Sequence, residues 1–154
     1  MKKIKILLYI IIIIGLSSCG YSRLNDQSSE FKFNSIEING DKRLSYILKN
    51  NLNLLSSSKS KKSYNLLINL TDSKTSKIKD TIGKTTRFNV VLNADLKLTD
   101  DNKIIKNRSF TINNDYDVSN NHSDTIRNEK KSIQNNIDSL SAEIAKYIQL
   151  INLN

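Results

Sequence analysis

Between Phe88 and Leu98 every second residue is apolar: Phe88, Val90, Leu92, Ala94, Leu96 and Leu98. Asn89, Asn93, Asp95 and Lys97 stand between them, with Val91 the apolar exception. A period of two excludes a helix, whose faces recur every 3.6 residues or so, and defines a strand with one dry face. At about 3.3 Å per residue the strand is roughly 36 Å long, so it needs both partners and a cover. Asp100-Asp101-Asn102 reads as a tight turn, and Ile104, Phe110, Ile112, Tyr116 and Val118 continue on even parity. The two segments therefore predict a long antiparallel hairpin.

Upstream, Tyr64, Leu66, Ile68 and Leu70 alternate in the same way and predict another half-buried strand. Thr71 to Thr86 is polar with a single Gly83 and reads as a long hairpin connection, strand extension being the alternative. Phe31 and Phe33 share one parity and Ile36 and Ile38 the other. A strand that changes parity must carry a bulge or break, here near Asn34-Ser35. Asn39-Gly40 is a turn signal, and Asp41 is a good helix N-cap. Leu44, Ile47, Leu48, Leu52 and Leu55 follow at helical spacing, and the Ser-Lys run from Ser56 to Ser63 ends that helix as a mobile loop. After a turn at Asn120 to Ser123, with Ser123 or Asp124 as N-cap, a second helical stripe runs through Ile126, Ile133, Ile137, Leu140, Ile144, Tyr147, Ile148 and Ile151. Neither helix supports itself in water without burying its stripe. The order strand, helix, three strands, helix predicts an α+β two-layer sandwich, a four-stranded, mostly antiparallel sheet covered on one face by two helices. The other sheet face would be polar apart from Leu67, Val91 and Ile105.

The first residues follow different rules. Lys2, Lys3 and Lys5 precede an apolar run from Ile4 to Ile14, and small residues lead to the single cysteine, Cys19. This is the pattern of a secretory signal peptide, and the apolar run is short of the roughly 20 residues that a membrane span needs. Leu16-Ser17-Ser18-Cys19 resembles the lipobox of bacterial lipoproteins. That resemblance implies cleavage before Cys19 and a diacylglycerol on its sulfur, so the expected divisions are residues 1–18 as signal peptide, 19–30 as a lipidated tether and 31–154 as the domain.

Chemistry finds few footholds. An acylated Cys19 leaves no thiol for a disulfide, so packing alone must hold the domain. His122 is the only histidine and reads as an exposed loop residue. Neither a nucleophile–base pair nor the clustered Cys and His of a zinc site can be assembled. Asn113, Asp115, Asp117, Ser119 and Asn121 alternate somewhat like a calcium loop but lack its central glycine and closing glutamate. No catalytic residue, metal or cofactor is expected, and the chain is not expected to be an enzyme. The balance is basic, with 24 Lys+Arg against 15 Asp+Glu. For an exported chain that points to anionic lipid head groups or an acidic protein surface, with no nucleic-acid partner expected. Lys84, Arg87 and Arg108 are the candidate contacts, because cationic side chains hold phosphate and carboxylate by charge-assisted hydrogen bonds.

With this topology in view, the chain resembles the LPS-assembly lipoprotein LptE, in its alphaproteobacterial form. The likeness rests on Leu-Ser-Ser-Cys-Gly-Tyr at Leu16 to Tyr21, the strand and helix of Ile36 to Leu55, Tyr64-Asn65-Leu66, Thr86-Arg87 before the alternating strand, and Ala142-Glu143-Ile144-Ala145. It implies a lipid-anchored outer-membrane protein that plugs an LptD-like β-barrel, helps it fold and takes part in inserting lipopolysaccharide into the outer leaflet. The implied partners are the barrel, lipopolysaccharide and the membrane itself through Cys19. A periplasmic auxiliary lipoprotein of an ABC-type lipid transport system is the alternative, and a hydrolase is the weakest reading.

Overall fold

The computed structural model describes residues 31–57, 60–100 and 103–152. The proposed signal peptide, Cys19, the tether and the Asp101-Asn102 turn lie outside the described residues. Four strands, β1 (Phe31–Asn39), β2 (Lys62–Lys79), β3 (Thr85–Asp100) and β4 (Lys103–Asp117), and two helices, α1 (Lys42–Leu54) and α2 (His122–Asn152), follow the predicted order. The strands lie side by side as β1-β2-β3-β4. β1 runs parallel to β2, and the other pairs are antiparallel. A parallel pair cannot be closed by a hairpin and needs a crossover, which α1 supplies.

Both helices bury their stripes on the same sheet face. Leu44, Leu48 and Leu52 of α1 meet Ile137, Leu140, Ile144 and Ile148 of α2 over the even-numbered residues of β2 and β3. The parity change in β1 is accommodated by a register shift between Phe33 and Ser35, which lets Phe31 and Ile36 enter one core. Asp41 caps α1, its carboxylate accepting from the backbone N–H groups of Arg43 at 2.9 Å and Leu44 at 3.0 Å. We expect Asp41→Ala to cost about 1 kcal/mol, the usual worth of an N-cap, read as a lower urea midpoint with an unchanged slope.

Four expectations need correction. Thr71 to Lys79 is strand extension, the alternative reading, and not connection, so β2 is 18 residues long and only Asp80 to Lys84 turns. These residues pair along β3 from Asn93 to Thr85 beyond the end of β1, where both faces of β2 meet solvent. Polar side chains suit such an unpartnered edge. At the start of β4 a register shift beside Leu98 and Thr99 leaves Ile104 exposed and packs Ile105 against the core, reversing the expected roles. The second helix begins earlier than expected, with Asn121 as its cap. Its side-chain oxygen accepts from Ser123 N–H at 3.0 Å, and its carbonyl accepts from Thr125 N–H at 3.2 Å. The first turns of α2 are held by polar contacts, such as Asn128 to the Asp117 carbonyl at 3.1 Å, so Ile126 stays 37% exposed. The run after α1 is also tied down where it is described: Ser57 N–H donates to the Phe31 carbonyl at 3.0 Å and Phe33 N–H to Ser56 Oγ at 3.1 Å. Ser58 and Lys59 lie outside the described residues.

Candidate functional site

The sheet face turned away from the helices is the broadest surface with a uniform chemistry. The register brings Ser35, Asn65 and Thr99 into one row, Asn39, Asn69, Asp95 and Ser109 into another, and Asn93 and Thr111 into a third. Neighbouring side chains bond across the strands. Ser35 Oγ donates to Asn65 at 2.9 Å, Asn39 to Asn69 at 3.1 Å, Ser109 Oγ to Asp95 at 2.6 Å and Thr111 Oγ1 to Asn93 at 2.8 Å. Cross-strand pairs of this kind set side-chain orientation on a sheet. The face is therefore an ordered array of amides and hydroxyls, interrupted by the half-buried Leu67 and Val91. A shallow depression of about 280 Å³ crosses it, lined by Leu67, Asn69, Asp95, Lys97, Asn107 and Ser109 together with Leu96 and Arg108.

Charges on this face gather toward the β2–β3 turn and are largely matched there. Lys77 bonds Asp115, which also accepts from Asn89 at 2.8 Å. The Lys77 bond, followed by the Asn89 bond, holds the Asp115 carboxyl below its ordinary value. Arg87 Nε donates to Asp117 Oδ1 at 2.6 Å, and that bond raises the Arg87 pKa further above its already high value. Such exposed pairs add little stability, but they consume charge. On the helix side, Lys74 bonds Glu129 at 2.7 Å and lies over the Phe88 ring, 5.2 Å from its centroid.

The three candidate cations are not brought together. Lys84 closes the β2–β3 turn and, among the described residues, has no ion-pair partner. Arg87 is on the open face, already paired. Arg108 lies opposite Leu96, nine residues along β3 from Arg87, or about 30 Å at 3.3 Å per residue. It shares the parity of Phe110 and faces the helices, its guanidinium carbon 5.1 Å from the Phe110 centroid and 4.6 Å from that of Tyr147. Lys77 and Lys79 join Lys84 and Arg87 around the turn, and reading 71–86 as a connection hid them. The parity of Arg108 with Phe110, Ile112 and Tyr116 was the signal that placed it on the other face.

Other candidates resolve simply. His122 is exposed in the first turn of α2. Asn113, Asp115 and Asp117 follow one another at strand spacing, about 7 Å per pair, and cannot converge on one ion. Among the described residues no group of three or more His, Cys, Asp or Glu is placed to hold a metal, and no helix is long and apolar enough to cross a membrane.

The class defined by these features is a small α+β domain with one helix-covered and one polar sheet face. Known structures share its fold. The chain superposes on rare lipoprotein B from Shewanella oneidensis with a TM-score of 0.60 at 12% identity, covering 79% of this chain and 98% of that one. A minor lipoprotein from Acinetobacter baumannii gives 0.60 at 20% identity, covering 79% and 92%. Lipoprotein B from Nitrosomonas europaea gives 0.62 at 13% identity, covering 85% and 92%. No protein-family model and no curated protein matches the chain. At these identities the likeness establishes the fold, one carried by bacterial lipoproteins.

Proposed function

We propose that this chain is a non-enzymatic, lipid-anchored lipoprotein of the outer membrane, facing the periplasm. In this reading it plugs an LptD-like β-barrel, assists its assembly and takes part in placing lipopolysaccharide in the outer leaflet. The observation that carries it is the hydrogen-bonded polar face of the sheet. The interior of a large membrane β-barrel is polar, so a wall of fixed amides and hydroxyls offers the barrel lumen donors and acceptors without exposing the core. The shared lipoprotein fold and the lipobox-like run at Cys19 support the same placement. Lys84 and the neighbouring Lys79, both without ion-pair partners among the described residues, are the cations best placed for lipopolysaccharide phosphate. Arg87 contributes only if it leaves Asp117, and Arg108 stands apart.

A photo-crosslinking residue at Asn93, in the middle of the open face, tests this in cells making the full chain. The expected adduct is a large outer-membrane β-barrel protein. Adducts confined to components of an inner-membrane transporter would overturn it in favour of the auxiliary lipoprotein of an ABC-type system, and the absence of any adduct would remove the docking face.

A further inference from the structure

The β2–β3 turn that carries Lys79 and Lys84 has a further, apolar feature. Ile82 stands at its apex with 84% of its surface exposed, and Ile78 beside it is 44% exposed. Little shields Ile82, so its burial against an apolar partner would be favourable. The turn that carries it is rigidly built. Asp80 Oδ1 accepts from Ile82 N–H at 3.1 Å and Lys84 N–H at 2.8 Å. Asp80 N–H donates to the Lys84 carbonyl at 2.9 Å, and Gly83 N–H to the Asp80 carbonyl at 3.0 Å. Gly83 meets the turn's demand for positive φ, at +82°. Just below, Ser76 and Thr85 share a hydroxyl bond at 2.8 Å, and Thr86 Oγ1 donates to the Ile78 carbonyl at 3.3 Å.

The charges at the apex leave a positive excess. The single carboxylate of the turn, Asp80, is fixed by backbone N–H groups and keeps its charge, so it offsets one of the two neighbouring lysines and leaves the apex net positive. Lys77 and Arg87 are matched by Asp115 and Asp117. Lys79 and Lys84 have no ion-pair partner among the described residues, so two ammonium groups flank the exposed isoleucines. No aromatic residue occurs from 77 to 87, so the stacking that nucleic-acid strands require is absent. An apolar apex collared by free cations, on a preordered hairpin, matches the boundary between phosphate head groups and acyl chains.

The geometry points to the β2–β3 hairpin as a lipid-surface wedge: Ile82, backed by Ile78, enters the acyl region of a bilayer while Lys79 and Lys84 hold the anionic head groups. It rests on the proposed function only for placing the chain at a membrane, and it requires no barrel. Burial of one isoleucine favours the docked state roughly tenfold to hundredfold, and each cation near an anionic surface contributes roughly fivefold, which corresponds to about 1 kcal/mol.

The chain has no tryptophan, so Ile82→Trp creates a single fluorescent reporter in the full protein. The variant is reconstituted into vesicles of phosphatidylcholine with phosphatidylglycerol, and in parallel into phosphatidylcholine alone. The expected result is a shift of emission to shorter wavelength and quenching by brominated acyl chains in the anionic vesicles. Glu143→Trp, on the exposed side of α2, should show neither. Adding K79Q and K84Q should remove most of the quenching. An unshifted, unquenched I82W signal in anionic vesicles overturns the wedge, and equal quenching in phosphatidylcholine alone overturns the role of the two lysines. Quenching of I82W supports the wedge whether or not a barrel crosslinks to Asn93, and its absence overturns the wedge even where one does.

Discussion

Gly40→Ala lowers the stability of the domain by about 3 kcal/mol, well beyond the ordinary cost of losing a glycine turn. Gly40 joins β1 to α1 with φ at +141°, and a Cβ there would sit 2.2 Å from the Leu70 carbonyl oxygen. Two penalties combine. The backbone region is nearly closed to side chains, which costs on the order of 1–3 kcal/mol, and the clash is with β2 backbone that cannot rotate away. Leu70 itself is 3% exposed, so relief means moving core. With a urea slope of about 1–3 kcal/mol per molar for a small domain, the midpoint should fall by roughly 1–3 M. Gly83→Ala is the matched control. It also has positive φ, but nothing lies within 4 Å of the added carbon, so it should cost only about 1–2 kcal/mol. Equal losses at the two positions would show that conformational strain, and not the approach of Leu70, governs Gly40.

Asn136→Ala should cost about 2–3 kcal/mol. Asn136 is 0% exposed, in the middle of the α2 stripe. It donates to the Val90 carbonyl at 2.9 Å and accepts from Asn114 Nδ2 at 2.9 Å, joining helix, β3 and β4. Truncation leaves Val90 O without that donor and Asn114 without that acceptor, and unpaired buried groups cost more than the net worth of the bonds themselves. Asn136→Asp separates geometry from charge. Burial raises the folded pKa of the introduced carboxyl above its unfolded value near 3.9. The neutral acid can donate to Val90 O and the carboxylate cannot. The stability of N136D is therefore greatest at pH below the ordinary carboxylate range and is lost as pH rises through the raised folded pKa. Urea unfolding of N136D and the parent at acid and neutral pH measures this. A constant difference between them across that range would mean that the side chain at 136 is not desolvated.

Much of the fold was written as periodicity. The alternation from Phe88 to Leu98 gave β3, the parity change between Phe33 and Ile36 announced the β1 bulge, and Asp41 marked the start of α1. What periodicity missed had no apolar signal to carry it. Thr71 to Lys79 has no dry face, because it lies beyond the end of β1, and it became strand only because β3 needed a backbone partner. Asn121, Ser123 and Asp124 are all competent caps, and the polar contacts of Asn128 and Thr125 decided among them. Ile104 and Ile105 exchanged roles through one extra residue in β4, which local composition does not encode.

The candidate site divides along the same line. Its polar character was legible, since the odd positions of β3 and β4 are mainly Asn, Asp, Ser and Thr. Its organisation was not. Which amide meets which hydroxyl depends on strand register, and which cations share a surface depends on parity and on where a turn falls. The α+β layering was legible in the sequence, because two helical stripes and the dry faces of alternating strands are buried most economically against each other. Tertiary structure decided that Arg108 sits with aromatic rings, that Arg87 is matched by Asp117, and that Lys79 and Lys84 collar an exposed Ile82. The Arg87–Asp117 pair and the Arg108–Tyr147 contact join residues far apart in the chain, and the exposure of Ile82 depends on where the β2–β3 turn falls once β2 and β3 have paired.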